Sequence, residues 1–225
     1  MFGAIARRYD RTNTVLSAGV HHGWRRALVR WSGAAPGMRV LDCATGTGDL
    51  ALAFRRVVGP AGRVAAVDFC PEMLARAPAK ARRQGLDIQF ALGDVLALPY
   101  GAGCFDMASI AFGIRNVSDP VRGLAEMSRV VRPGGAVLVL EFGQVALPVL
   151  RRLFEGCARR LLPRLGGWLT GNRAAYEYLE RSRAAMPCGA DFVELLRQTG
   201  RLEHPEYRAL TGGIAYLYRG RVAYP

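Results

Sequence analysis

Lysine is nearly missing from this chain of 225 residues: of its 31 basic side chains, all but Lys80 are arginine. Acidic residues are also few, 18 in all, which leaves a formal charge of +13. A charge of that sign suits a nucleic acid, an anionic membrane surface or an acidic small molecule, and says nothing about fold. No apolar run reaches the roughly 18 residues that a membrane-spanning helix needs. The opening Met1–Asp10 carries its charges on the wrong side of a very short apolar stretch for a signal peptide. The five cysteines, at 43, 70, 104, 157 and 188, contain no CxxC pair, so neither a disulfide framework nor a metal site is expected, and a cytoplasmic setting with reduced thiols is.

What is present is an ordinary globular composition, 51% hydrophobic and 22% charged, enough for one domain with a sizeable core. A helix is expected from His21 to about Trp31. A regular alternation follows: strand Arg39 to Cys43, helix Asp49 to Val58, strand Arg63 to Asp68, helix Pro71 to Gln84, strands Ile88 to Leu92 and Cys104 to Ala111, helix Pro120 to Val131, and strand Ala136 to Phe142. Strands alternating with helices imply an α/β fold with a doubly wound, mostly parallel sheet, and such sheets bind ligands outside the carboxyl ends of their strands.

The residues that follow the strands carry the chemistry. Val40 to Asp49 (VLDCATGTGD) sets Gly46 and Gly48 in the turn from the first strand to its helix, and Asp68 closes the next strand. Glycines let backbone approach a ligand closely, and a carboxylate at that strand end can bind both hydroxyls of a ribose. Gly46, Gly48 and Ala51 also satisfy a relaxed dinucleotide pattern, which would make the chain a nicotinamide-dependent reductase. Asp49, at the helix N-terminus where a pyrophosphate would sit, disfavours that reading. A cationic sulfonium ligand tolerates Asp42 and Asp49, although Asp49 reads equally well as a helix cap. Gly93-Asp94-Val95, after the third strand, offers an acceptor and a backbone N–H, the pair that an adenine edge needs. Together these landmarks point to S-adenosylmethionine.

The chain resembles the menaquinone/ubiquinone C-methyltransferase family over nearly its whole length. The resemblance is carried by Phe2–Asn13 (FGAIARRYDRTN), Ser17–Trp24 (SAGVHHGW), Leu41–Leu50 (LDCATGTGDL), Leu98–Tyr100 (LPY), Ala111–Asn116 (AFGIRN), Glu126–Gly135 (EMSRVVRPGG), Leu140–Phe142 (LEF), Tyr176–Leu179 (YEYL) and Leu210–Ile214 (LTGGI). It implies a class I S-adenosylmethionine-dependent methyltransferase that methylates a ring carbon of a prenylated quinol, either demethylmenaquinol or 2-methoxy-6-polyprenyl-1,4-benzoquinol; demethylmenaquinol is the expected acceptor, since nothing in the sequence argues for a dedicated ubiquinone partner complex. It further implies that Thr47, Asp68, Asp94 and Val95 hold the methyl donor. Ala111 fills a position where some members use a serine for that purpose. One domain is expected over 1–225, with a helical cap over 1–35, a cofactor-binding core over 36–145, a helical substrate- or membrane-facing insertion over 146–190 and a sheet-completing segment over 191–225.

In the quinol reaction, Arg115 is expected to stabilise a phenolate or to assist proton loss through water, with Asn116 and Tyr9 orienting the hydroxyls. His21 and His22 are competing bases, and read otherwise as one packed ring beside one exposed. Residues 147–165 place apolar side chains at helical spacing opposite arginines, a pattern that fits either a helix lying on an anionic membrane surface or a core helix with a solvated basic face. Three departures from the family fall in the substrate half: Arg181, Arg183 and Tyr218. The start of the chain so close to the first motif suggests a short lid. A nucleic-acid methyltransferase, the alternative suggested by charge, is disfavoured because AFGIRN lacks the Asn-Pro-Pro of base-amine methylation. No nucleic-acid partner is expected, and no pattern specifies an oligomeric state.

Overall fold

The structure is a computed structural model that describes residues 19–144 and 173–224. Its centre is a seven-stranded sheet in the order β3-β2-β1-β4-β5-β7-β6. The parallel half consists of β1 (Arg39–Cys43), β2 (Arg63–Asp68), β3 (Gln89–Leu92), β4 (Phe105–Ala111) and β5 (Val131–Phe142). β7 (Ala215–Val222) runs antiparallel to β5, and β6 (Leu202–Leu210) closes the edge antiparallel to β7. The near-continuous apolar runs of β1, β2 and β5 are what a strand covered on both faces requires.

Two cores cover those faces. One packs Ile110, Leu124, Met127, Val139, Phe192 and Tyr218 under helices α5 (Pro120–Val130) and α7 (Ala190–Gln198). The other packs Trp24, Leu28, Phe54, Met107, Leu138 and Leu217 under α1 (Val20–Ser32) and α2 (Asp49–Val58). Helix α6 (Arg173–Ala185) lies against the turn at 114–116. The strand order reverses between β1 and β4, so the crevice for a ligand opens where Cys43, Asp68, Leu92, Ala111 and Phe142 end their strands.

Two expected elements differ. The single helix anticipated over 71–84 divides into α3 (Pro71–Leu74) and α4 (Ala77–Arg82). Pro78 has no N–H to give to the preceding turn, so the hydrogen-bond ladder breaks there and Pro78 stands in the first turn of a new helix instead of continuing the old one. β5 begins at Val131 rather than at Ala136, because Val131 already pairs with Phe105 before the register shifts near Met107.

Candidate active site at the carboxyl edge of the sheet

The loop after β1 is bent tightly. Ala44, Gly46 and Gly48 have φ of 49°, 58° and 86°, all left-handed, which strains Ala44 and suits the glycines. A Cβ on Gly48 would stand 3.1 Å from the Ala77 Cβ and 3.4 Å from the Phe90 ring, so glycine is needed there for closeness as well as for φ. Neighbouring strands hold the loop: Thr45 N donates to Val67 O at 3.0 Å and Gly46 N to Asp68 Oδ2 at 2.6 Å.

Asp42 braces the loop from below. It is 1% exposed, and its two oxygens accept from Thr45 Oγ1 at 2.7 Å and Ser109 Oγ at 2.9 Å. Burial pushes its carboxyl up from 3.8 to about 6. Between those two values the folded protein holds a proton that the unfolded chain has released, so stability falls as pH rises through the window and stays lower above it. Asp42→Asn, which cannot ionise, is therefore expected to be more stable than wild type at pH 7 by about 3 kcal/mol, with the difference vanishing below about pH 3. Denaturant melts of both proteins across that range check this.

At the end of β2, Asp68 Oδ1 accepts from Cys70 N at 2.8 Å while Oδ2 serves Gly46. Each oxygen thus spends one of its two acceptor directions on backbone, which leaves the other for a ligand hydroxyl. Burial raises the pKa of this carboxyl against the lowering effect of both hydrogen bonds. Beyond β3, Asp94 is exposed, its Oδ1 taken by Leu96 N at 2.9 Å and its Oδ2 without a partner among the described residues. The buried Val95 contributes its side chain to the core, and its N–H donates to none of the described residues. A free acceptor beside a free donor matches the edge of adenine. Phe69, which the sequence reading missed, is 78% exposed directly after Asp68 and offers an aromatic face at the same place.

Asp49 is placed differently from expectation. Its carboxylate contacts the Lys80 ammonium and lies 3.7 Å from Arg25, and Lys80 Nζ also approaches Thr47 Oγ1 at 3.5 Å. Those cations hold its pKa below the ordinary range against burial. Its charge is balanced inside the protein, so it neither repels a pyrophosphate nor attracts a sulfonium, and the electrostatic case for the ligand rests on Asp68 and Asp94 instead. His21 and His22 lie beside it, one buried and one exposed, with ring centroids 3.9 Å apart, as the packed-ring reading anticipated. Ligand atoms of His21, His22 and Asp49 lie within 4.8 Å of one another, but the two cations already on Asp49 oppose a third.

The loop after β4 brings distant motifs together. Trp24 from α1, Phe112 after β4 and Phe142 at the end of β5 form one aromatic cluster, with centroids 6.1, 6.2 and 4.5 Å apart. Trp24 Nε1 donates to Thr211 Oγ1 at 2.8 Å, which ties the LTGGI segment to it. Ala111 is half-buried at the foot of this cluster, and Asn116 is exposed. Arg115 is neither open to solvent nor free: its side chain is 4% exposed and its Nη1 pairs with Glu141 Oε1 at 2.8 Å. A guanidinium stays protonated, so this arrangement provides a fixed cation at the end of β4.

Two of the three departures are core residues. Tyr218 is 1% exposed, stacks on Phe192 at 4.1 Å, and its hydroxyl accepts from Gly189 N at 2.8 Å. Arg183 is buried and donates to Gly143 O at 3.0 Å. Arg181 is exposed. Tyr9 and residues 147–165 lie outside the described residues.

The chain is similar over nearly its whole length to known proteins. The family model described as ubiE/COQ5 methyltransferase family matches residues 1–221. The chain is 54% identical over 222 residues to the ubiquinone/menaquinone biosynthesis C-methyltransferase UbiE of Bdellovibrio bacteriovorus, covering 99% of this chain and 94% of that protein. It is 44% identical over 220 residues to the demethylmenaquinone methyltransferase of Deinococcus radiodurans, covering 98% and 90%. Among solved structures, a SAM-dependent methyltransferase of Thermotoga maritima, titled a possible histamine N-methyltransferase, superposes with a TM-score of 0.68 at 18% identity, covering 98% of this chain and 97% of that one, which establishes the fold alone.

Proposed function

The chain belongs to the ubiE/COQ5 methyltransferase family, and on that premise we propose that it transfers a methyl group from S-adenosylmethionine to a ring carbon of a prenylated quinol, with demethylmenaquinol as the acceptor. The observation that carries the reading is convergence. Motifs at Trp24, Phe112, Phe142 and Thr211, far apart in sequence, meet in one cluster at the same sheet edge as Asp68, Asp94 and Val95.

S-adenosylmethionine supplies a methyl carbon made electrophilic by the sulfonium it leaves. The residues that fit the donor are Asp68 for the ribose, Asp94 and the Val95 N–H for adenine, Phe69 for its face, and Gly46, Thr47 and Gly48 for the chain between. Asp42 acts by holding the loop. On the acceptor side, loss of one hydroxyl proton makes the neighbouring ring carbon nucleophilic; the carbon bonds to the methyl and then releases its own proton to solvent. Arg115 provides the fixed positive charge beside the phenolate oxygen, and Asn116 and Tyr9 orient the hydroxyls. Alignment of the two reactants contributes about 7 kcal/mol or more in favourable cases.

A second reading, the equivalent methylation of 2-methoxy-6-polyprenyl-1,4-benzoquinol, is favoured by the Bdellovibrio relative, which is named for both pathways. Measuring kcat/KM for each reduced quinol decides between them, and a higher value for the benzoquinol would reverse the preference. A prenylated quinol dissolves in the bilayer, so we place the protein on the anionic inner face of the cell membrane through the basic segment 147–165, while no helix among the described residues is long and apolar enough to cross. Flotation with anionic liposomes at low salt tests this, and absence of binding removes it.

A further inference from the structure

We infer that Glu141 is a positioning residue for methyl transfer, its buried carboxylate holding the Arg115 guanidinium so that the Nε–H is kept for an oxygen of the acceptor. The inference rests on the proposed function, in which Arg115 stands beside the phenolate oxygen of the quinol.

Glu141 stands at the end of β5, 1% exposed, where a carboxylate needs several partners to persist. It has them: Oε1 accepts from Arg115 Nη1 and from Phe142 N, each at 2.8 Å, and Oε2 faces Arg115 N at 3.4 Å. Arg115 Nη1 also donates to Phe112 O, and the guanidinium carbon lies 5.4 Å from the centre of the Phe142 ring. Carboxylate, carbonyl and ring together leave the guanidinium a single orientation. In that orientation Nε is buried and donates to nothing among the described residues. An orphaned buried donor is costly, and of the four among the described residues, on Arg25, Trp31, Arg115 and Arg183, that of Arg115 stands next to the carboxyl end of β4, where an oxygen of a ligand would satisfy it.

The charges separate orientation from field. Arg115 and Glu141 together are neutral, so the carboxylate offsets part of the cation's attraction for a phenolate. If Arg115 worked only through its field, Glu141→Gln would leave an uncompensated cation and speed transfer. If Glu141 works by orientation, the same change frees the guanidinium to turn, and transfer slows.

The test is single-turnover methylation of the reduced quinol at saturating S-adenosylmethionine, with donor affinity measured by calorimetry on the same variants. Glu141→Gln should lower the rate about 100-fold, the size expected when a reacting group is misplaced by about 1 Å, while donor affinity stays within about twofold. Glu141→Asp keeps the charge but falls one methylene short, and should lose about tenfold with donor affinity intact. In an Arg115→Met background, Glu141→Gln should change the rate less than about twofold, since its partner is gone. Wild-type rates in Glu141→Gln or Glu141→Asp, a faster Glu141→Gln, or losses that multiply in the double variant overturn the inference. Failure of the wild-type protein to methylate any quinol instead overturns the function on which it rests.

Discussion

Arg115→Ala is expected to abolish most of the chemistry while sparing the methyl donor: single-turnover methylation should fall about 1000-fold, with S-adenosylmethionine affinity within about twofold of wild type. The size follows from where the side chain sits. A charged donor aimed at developing negative charge in a water-poor site is worth about 3 to 4 kcal/mol, against far less in water. The truncation also strands Glu141, 2% exposed by side chain, without its cation. Breaking a buried pair from one side costs about 3 to 5 kcal/mol, so a fall in melting temperature should accompany the loss of rate. Donor binding measured at the same temperature separates the two effects. An Arg115→Ala protein that binds donor and turns over at the wild-type rate removes Arg115 from the mechanism.

Asp68→Ala is expected to act on the other half of the site, weakening S-adenosylmethionine binding about 100-fold or more while the quinol half is untouched. Two charge-assisted hydrogen bonds to a ribose are worth about 1.5 to 3 kcal/mol each. The same carboxylate also accepts from Gly46 N and Cys70 N, so its removal loosens the glycine loop as well as the ribose contact. Asp68→Asn keeps the shape and an acceptor toward one of the two backbone donors, and should lose about tenfold. Calorimetric titration with the donor reads both, and affinity unchanged in Asp68→Ala would move the ribose elsewhere.

That Asp68, Asp94 and Val95 lie at one edge of the sheet was legible because Asp68 ends a strand and the other two follow one, and strand ends in a parallel sheet face one edge whatever the details of packing. Asp49 was misread for the opposite reason. Its neutralising partner Lys80 is 31 residues away on a helix whose start Pro78 determines, and neither the break nor the contact has a local signature. Glu141 and Arg115 are separated by 26 residues, and only the register that sets Ala111 opposite Leu140 brings them together. Tyr218 and Arg183 looked like substrate-side changes because their motifs are, yet β7 pairing and the packing of α7 bury the first and the carbonyl of Gly143 engages the second. The antiparallel β6 left little trace, since an edge strand with mostly exposed side chains has no apolar run to find. The aromatic cluster was hidden for a simpler reason: Trp24, Phe112 and Phe142 each pass for ordinary core until the fold sets them at one mouth.

The most direct test of the central claim is a transfer assay with methyl-labelled S-adenosylmethionine and each reduced prenylquinol, followed by mass localisation of the label. One labelled methyl is expected on a ring carbon next to a hydroxyl-bearing carbon, and none on oxygen. Label on a quinol oxygen, or on RNA and on neither quinol, would contradict it.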